Sequence, residues 1–132
     1  MAGYDLQIVT PMGMRFEGVA ESLTVTTTEG QISILTGHTN YMAAVVIGKA
    51  KLTANGKNLY AACGNGFLSV ENGKCTLLTN SFDFADTLDG EKLKEELTEA
   101  EKLLENAQTA NDKTIAKDRI KLASVRLAVL ET

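Results

Sequence analysis

The chain has 132 residues, a formal net charge of -4 and 44% hydrophobic residues, enough for one modest core plus an appendage. The acidic balance argues against a general nucleic-acid binder, and no apolar run is long enough to span a bilayer as a helix. One histidine excludes His-rich metal sites and two-histidine catalysis.

The opening Met1-Ala2-Gly3-Tyr4-Asp5 lacks the basic-then-apolar order of a secretory leader, so the chain is expected to work where it is made. Strands are expected at Asp5–Val9, Met14–Gly18, Leu23–Thr28, Gln31–Leu35 and Tyr41–Val46, with Pro11 and Gly13 turning the first into the second. Asn55-Gly56 and Asn72-Gly73 suit type I′ turns, whose two central residues both need positive φ. Those hairpins place Leu52 opposite Leu59, Val70 opposite Cys75 and Leu68 opposite Leu77, while Ser69, Glu71, Lys74 and Thr76 face the other way. Cys63 and Cys75 have no C-x-x-C spacing and sit in apolar strand segments, so they read as small buried hydrophobes. Gly64-Asn65-Gly66 has no Lys-Ser/Thr after it and leads into a strand, which marks a bend or bulge rather than a phosphate loop.

All but one of the 11 glycines and every aromatic residue lie in the first 84 positions, and from Ala85 Leu, Ala, Glu and Lys recur at helical spacing. The fold expected is therefore α+β in sequential segments: an antiparallel β-sandwich over 1–85 and a two-helix hairpin over 86–132. Asp89 is the expected N-cap of the first helix and Asn111 of the second, with Gln108–Asn111 as the connection. Leu93, Leu97, Ala100, Leu104 and Ala107 form one seam, and Ala116, Ile120, Ala123, Leu127 and Leu130 form its partner. Residues 91–107 carry six acidic and three basic side chains, whereas 112–131 carry three and five, so antiparallel contact is favourable. The second helix has a further apolar line, Ile115, Leu122 and Val129, with Val125 beside it. A helix with two apolar stripes needs two neighbours: the first helix, and either the sandwich or a partner protein. Permanent packing on the sandwich and a switch between two dockings both satisfy this pattern.

The order Val9-Thr10-Pro11-Met12-Gly13, Phe16-Glu17-Gly18, then Thr28-Glu29-Gly30-Gln31-Ile32-Ser33-Ile34-Leu35-Thr36-Gly37-His38 resembles the epsilon subunit of F-type ATP synthases. The likeness continues through Gly64-Asn65-Gly66-Phe67-Leu68-Ser69-Val70 and Asp86-Thr87-Leu88-Asp89, so it covers essentially the whole chain. Ser33, Thr36 and Thr39-Asn40 depart from that family's usual Gly, Pro and Ala-Pro. The resemblance implies a non-catalytic rotor subunit of the central stalk that helps couple proton transport to ATP synthesis. Its sandwich would grip the gamma subunit and touch the membrane c-ring. Its hairpin would dock on the sandwich or rise toward the catalytic alpha/beta head and restrain ATP hydrolysis. The implied location is peripheral, on the cytoplasmic face of a bacterial membrane, with a plastid thylakoid as the alternative.

By the same resemblance, Glu29, Gln31 and His38 would meet the ring and stalk, although a satisfied loop histidine explains His38 equally well. Lys117, Arg119, Lys121 and Arg126 would form a basic face toward the head; a solvated helix face is the plain alternative. No cofactor is implied beyond a regulatory ATP, which some relatives bind through Ile/Leu-Asp-x-x-Arg-Ala and arginines on the second helix. Leu88, Asp89, Lys92 and Arg126 fall at matching positions, but Lys92 and Leu93 replace Arg and Ala, and Leu122 replaces an arginine. Lysine offers a point charge where arginine offers a two-pronged fork, and a capped helix start with a surface lysine accounts for the same residues. The rival class is a free-standing adaptor or nucleotide-sensing module of the same architecture; no constellation of residues supports a small hydrolase or lyase.

Overall fold

The computed structural model describes residues 3–130. Met1 and Ala2 of the leader reading, and Glu131 of the charge count, lie outside them. Ten strands come first: β1 (Tyr4–Thr10), β2 (Gly13–Ala20), β3 (Ser22–Thr27), β4 (Gly30–Leu35), β5 (Tyr41–Val45), β6 (Gly48–Ala54), β7 (Lys57–Cys63), β8 (Gly66–Glu71), β9 (Lys74–Thr79) and β10 (Phe82–Phe84). A 3-10 turn (Ala85–Thr87) leads to helices α1 (Gly90–Glu105) and α2 (Ala110–Leu130).

Strands pair in the order β10-β7-β6-β3-β5-β8-β9-β1-β2, with β4 on the other side of β3. One residue pair, Thr27 with Val45, joins β3 to β5, and the sheet folds there into two five-stranded layers. Their inward side chains meet in one core. Leu6, Ile8, Leu68 and Leu77 come from one layer and Leu23, Val25, Ile34, Leu52 and Phe82 from the other, none more than 1% exposed. Tyr4 ties the layers directly, its hydroxyl donating to the Ile34 carbonyl at 2.8 Å, and burial raises its phenol well above the ordinary range. This is the expected β-sandwich followed by a helical hairpin.

Both Asn-Gly hairpins form as their chemistry requires, with positive φ at Asn55, Gly56, Asn72 and Gly73. Their registers match the expected pairs Leu52–Leu59, Leu68–Leu77 and Val70–Cys75. Gly64-Asn65 is a bend between β7 and β8, Gly66 already opens β8, and a Cβ at Gly66 would run into the Leu78 carbonyl and the Thr79 backbone. The buried Thr79 hydroxyl closes this corner by donating to the Gly64 carbonyl at 3.0 Å.

Three local expectations are corrected. The first turn is Pro11-Met12, because Gly13 already pairs with Thr10 inside β2. The helix connection is 106–109, since α1 ends in tight bonds from Asn106 to the Lys102 carbonyl (3.1 Å) and from Ala107 to the Leu104 carbonyl (3.3 Å). Thr109, not Asn111, caps α2: its hydroxyl accepts the Asp112 N–H at 3.0 Å, three residues on, while Asn111 lies within the first turn.

The hairpin seam is as expected. Leu93, Ala100, Ala116 and Ala123 are buried at 4% exposure or less, and the alanines let the helices approach closely. α2 lies between α1 and the outer face of β6 and β7. The second apolar line is only partly covered. Val129 is buried, Leu122 faces the groove beside α1, and Ile115 is 46% exposed. A seven-residue repeat drifts around a straight helix by about 20° per step, and residues 110–115 are exposed.

Candidate interaction surfaces

The hairpin's seat on the sandwich is built from small and charged residues facing outward. On β7, Ala62 pairs with Lys49 of β6 and Asp83 of β10, so all three point away from the core. Ala62 is nonetheless 0% exposed and absent from the sandwich core, because α2 covers it. Beside it the Arg126 guanidinium donates to one Asp83 carboxylate oxygen through Nη2 (2.8 Å) and Nε (3.0 Å). Its Nη1 stands 3.6 Å from Glu96 of α1, which realises the opposite charge of the two arms at this point.

These bonds bear on the regulatory-ATP residues. Asp89 caps α1, its Oδ1 accepting the Glu91 N–H at 3.0 Å and the Lys92 N–H at 3.5 Å. Leu88 lies between the 3-10 turn and α1, its N–H bonded to the Ala85 carbonyl at 3.2 Å. With Asp89 capping and Arg126 paired, the four residues as folded here offer a phosphate only the exposed Lys92.

Lys117, Arg119, Lys121 and Arg126 do not share one face of α2. Lys117 and Lys121 are one turn apart, whereas Arg119 and Arg126 point nearly opposite at about 100° per residue. The two arginines line a groove of about 290 Å³ with Leu122, opposite Glu96, Glu99 and Leu103 of α1. Glu29 and Gln31 stay together at the β3–β4 turn, where Gln31 pairs with Thr26, but His38 is separated from both. What the resemblance treats as one loop is a paired strand, β4, whose six residues run about 20 Å between Glu29 and His38. Glu29 sits in the β3–β4 turn, its N–H bonded to the Thr27 hydroxyl at 3.1 Å. His38 lies beyond the other end, donating from Nδ1 to the Thr39 carbonyl at 2.8 Å and meeting the Tyr41 ring edge-on at 5.6 Å.

A larger surface escaped the sequence reading. On the second layer, β5-β8-β9-β1-β2, the outward side chains fall into register rows. Ala44, Phe67, Leu78, Val9 and Met14 lie side by side across all five strands. Phe67, Leu78 and Met14 are 41%, 51% and 49% exposed, with Met12 at 82% and Met42 at 66% adjoining. The next row, Met42-Ser69-Thr76-Gln7-Glu17, is mostly polar, and the one after it carries Glu71, Lys74 and Asp5. Ser69, Glu71, Lys74 and Thr76 were correctly turned outward from the hairpin register; continuing that parity to Phe67 and Leu78 exposes the row. It lies on the opposite side of the sandwich from the hairpin, and contiguous apolar surface rimmed by polar residues marks an interaction site.

Reactive groups are scarce. Cys63 and Cys75 are each 1% exposed, and burial pushes their thiols up to about 11 and about 12. Both therefore hold their protons and behave as packing residues. Among the described residues, no three His, Cys, Asp or Glu side chains gather as a metal site, and no helix is long and apolar enough to cross a membrane.

Residues 4–85 match the family model of the ATP synthase delta/epsilon chain β-sandwich domain. The ATP synthase epsilon chain of Ruminococcus albus is 32% identical over 130 residues, spanning 98% of this chain and 97% of that one. The epsilon chain of Bacillus cytotoxicus is 32% identical over 129 residues, with the same 98% and 97% shares. A chain of the Euglena gracilis mitochondrial ATP synthase, in its OSCP/F1/c-ring assembly, superposes with a TM-score of 0.82 at 20% identity, covering 98% of this chain and 82% of that one. A chain of the Tetrahymena thermophila mitochondrial ATP synthase central stalk and c-ring gives 0.68 at 14% identity, covering 96% and 95%. At such identities the two structures bear on the fold alone.

Proposed function

The chain belongs to the ATP synthase epsilon chain family, and from that membership we propose that it is a non-catalytic rotor subunit whose sandwich holds the gamma subunit and whose hairpin restrains ATP hydrolysis. The observation that carries the first part is the apolar row Ala44-Phe67-Leu78-Val9-Met14, which nothing in this chain covers among the described residues. A rotor subunit needs one face permanently occupied by the shaft, and this face lies away from the hairpin, so both attachments coexist. The loops at the ends of the strands, including Glu29 at one and His38 at another, remain available to the c-ring. The proposed role is mechanical and regulatory. The subunit would then reach the membrane only through the complex, on the cytoplasmic face of a bacterial cell.

The second part is supported by the sandwich core, which draws no side chain from either helix. The hairpin can therefore leave its seat without opening the domain that grips gamma. On rising, Lys117, Arg119 and Lys121 would meet acidic surface on the catalytic head, while Arg126 would first have to leave Asp83. Leu78→Glu should abolish co-purification with gamma while leaving the isolated fold intact. A chain ending at Ala85 should still bind gamma and raise the ATPase activity of the assembled enzyme. Retention of gamma by Leu78→Glu would refute the docking surface; unchanged ATPase activity on truncation would refute the inhibitory role.

A further inference from the structure

Arg126 touches three elements at once: its own helix α2, Asp83 of β10 and Glu96 of α1. The pair with Asp83 is well built. Both side chains are only 21–22% exposed, so solvent screens them weakly, and two N–H groups converge on one carboxylate oxygen. Asp83 is also held still. Its neighbours Phe82 and Phe84 turn inward onto the core and meet edge-to-face at 5.2 Å, which fixes the short strand that presents the carboxylate. Ala62, under α2, is apolar and sets no register by itself.

We propose that the Arg126–Asp83 ion pair is the latch of the docked hairpin, and that this latch stands in place of a bound nucleotide. A phosphate approaching Arg126 would have to displace Asp83 and then sit beside two carboxylates, those of Asp83 and Glu96. Asp89, spent on the α1 cap, offers no help in recruiting it. Docking in this chain is thus fastened by its own side chains, and breaking the Arg126–Asp83 pair loosens it without the loss of any ligand. The inference deepens the proposed hairpin role but is measured on the isolated subunit, so it can fail while the rotor assignment stands.

The test is amide hydrogen exchange on the full-length subunit, with the strand amides of β1, β3 and β8 as internal controls. Asp83→Ala and Arg126→Ala should each speed exchange along the C-terminal half of α2 by about tenfold, the effect of losing one charge-assisted hydrogen-bonded pair. The double variant should go little further than either single, because each substitution already breaks the same pair. Glu96→Ala should change it by only about twofold, being a longer contact to an exposed carboxylate. Asp83→Asn, which keeps the shape and removes the charge, provides a second route should the alanine variants disturb the strands. Millimolar ATP should leave wild-type exchange unchanged. Additive effects in the double variant, no acceleration in Arg126→Ala or Asp83→Asn, or slowing of α2 exchange by ATP would each overturn the latch.

Discussion

Ala62 and its neighbour Ala61 separate the hairpin's seat from the sandwich core at single-residue resolution. Both are 0% exposed, but Ala61 belongs to the core and Ala62 lies under α2. Ala62→Leu adds three carbons where the helix already touches the sheet. Overpacking of this kind costs about 1–3 kcal/mol, and here α2 can escape the clash by lifting. Burying one aliphatic side chain returns about 1.5–3 kcal/mol, so the new clash is as large as a whole apolar contact of that kind. The docked population should fall by roughly five- to 150-fold. Hydrogen exchange should show α2 amides accelerating while the strand amides keep their protection. Ala61→Leu, one residue away and facing inward, should do the reverse and expose the strands. If Ala62→Leu loosened strands and helix together, or left α2 unaffected, the seat would be misplaced and the hairpin would be part of the core.

Thr109→Ala should lower stability by about 1 kcal/mol and fray the start of α2, while Asn111→Ala should change little; denaturant titration separates them. Gly66→Ala should destabilise the sandwich by at least about 1–3 kcal/mol, because the new methyl meets backbone of β9 that cannot swing aside. The thiols predict a pH signature. Their native values of about 11 and 12 lie above the ordinary 9.0, so the unfolded chain loses those protons first as pH rises. Their contribution is intact below pH 9 and is lost between 9 and 12, at up to about 1.4 kcal/mol per pH unit for each thiol. A Cys63→Ala/Cys75→Ala double variant should flatten that part of the stability profile, and an unchanged slope would refute the burial argument.

Local chemistry explains what was legible in the sequence. Asn55-Gly56 and Asn72-Gly73 fix their own φ angles, and through them a register that a one-residue slip would invert. Leu93, Ala100, Ala116 and Ala123 announce the seam because helical periodicity is likewise local. What stayed hidden is long-range. The Ala44-Phe67-Leu78-Val9-Met14 row exists only because β1 lies parallel to β9, a pairing about 70 positions apart that no neighbouring residue encodes. The partnership of Asp83 with Arg126, 43 residues apart, is invisible for the same reason. The resemblance groups Arg126 with Lys117 and Lys121, yet in the docked hairpin it turns away from both toward Asp83. The Asn111 cap failed for a smaller reason: Thr109 competed for the role, and only the end of α1 decides between them.

A movable element needs an attachment that is worth little beside the fold it leaves. Here the sandwich closes its core without the helices, and the helices close their seam without the sandwich. Among the described residues the attachment includes Ala62 and the Arg126–Asp83 ion pair, with Ile115 and Leu103 at the far end left 46% and 45% exposed. Lifting the hairpin therefore uncovers a small seat, whereas pulling its helices apart would uncover the whole seam. Under the proposed hairpin role, the lower-energy motion is release of the hairpin as a pair, and a partner able to supply a carboxylate to Arg126 would offset part of its cost.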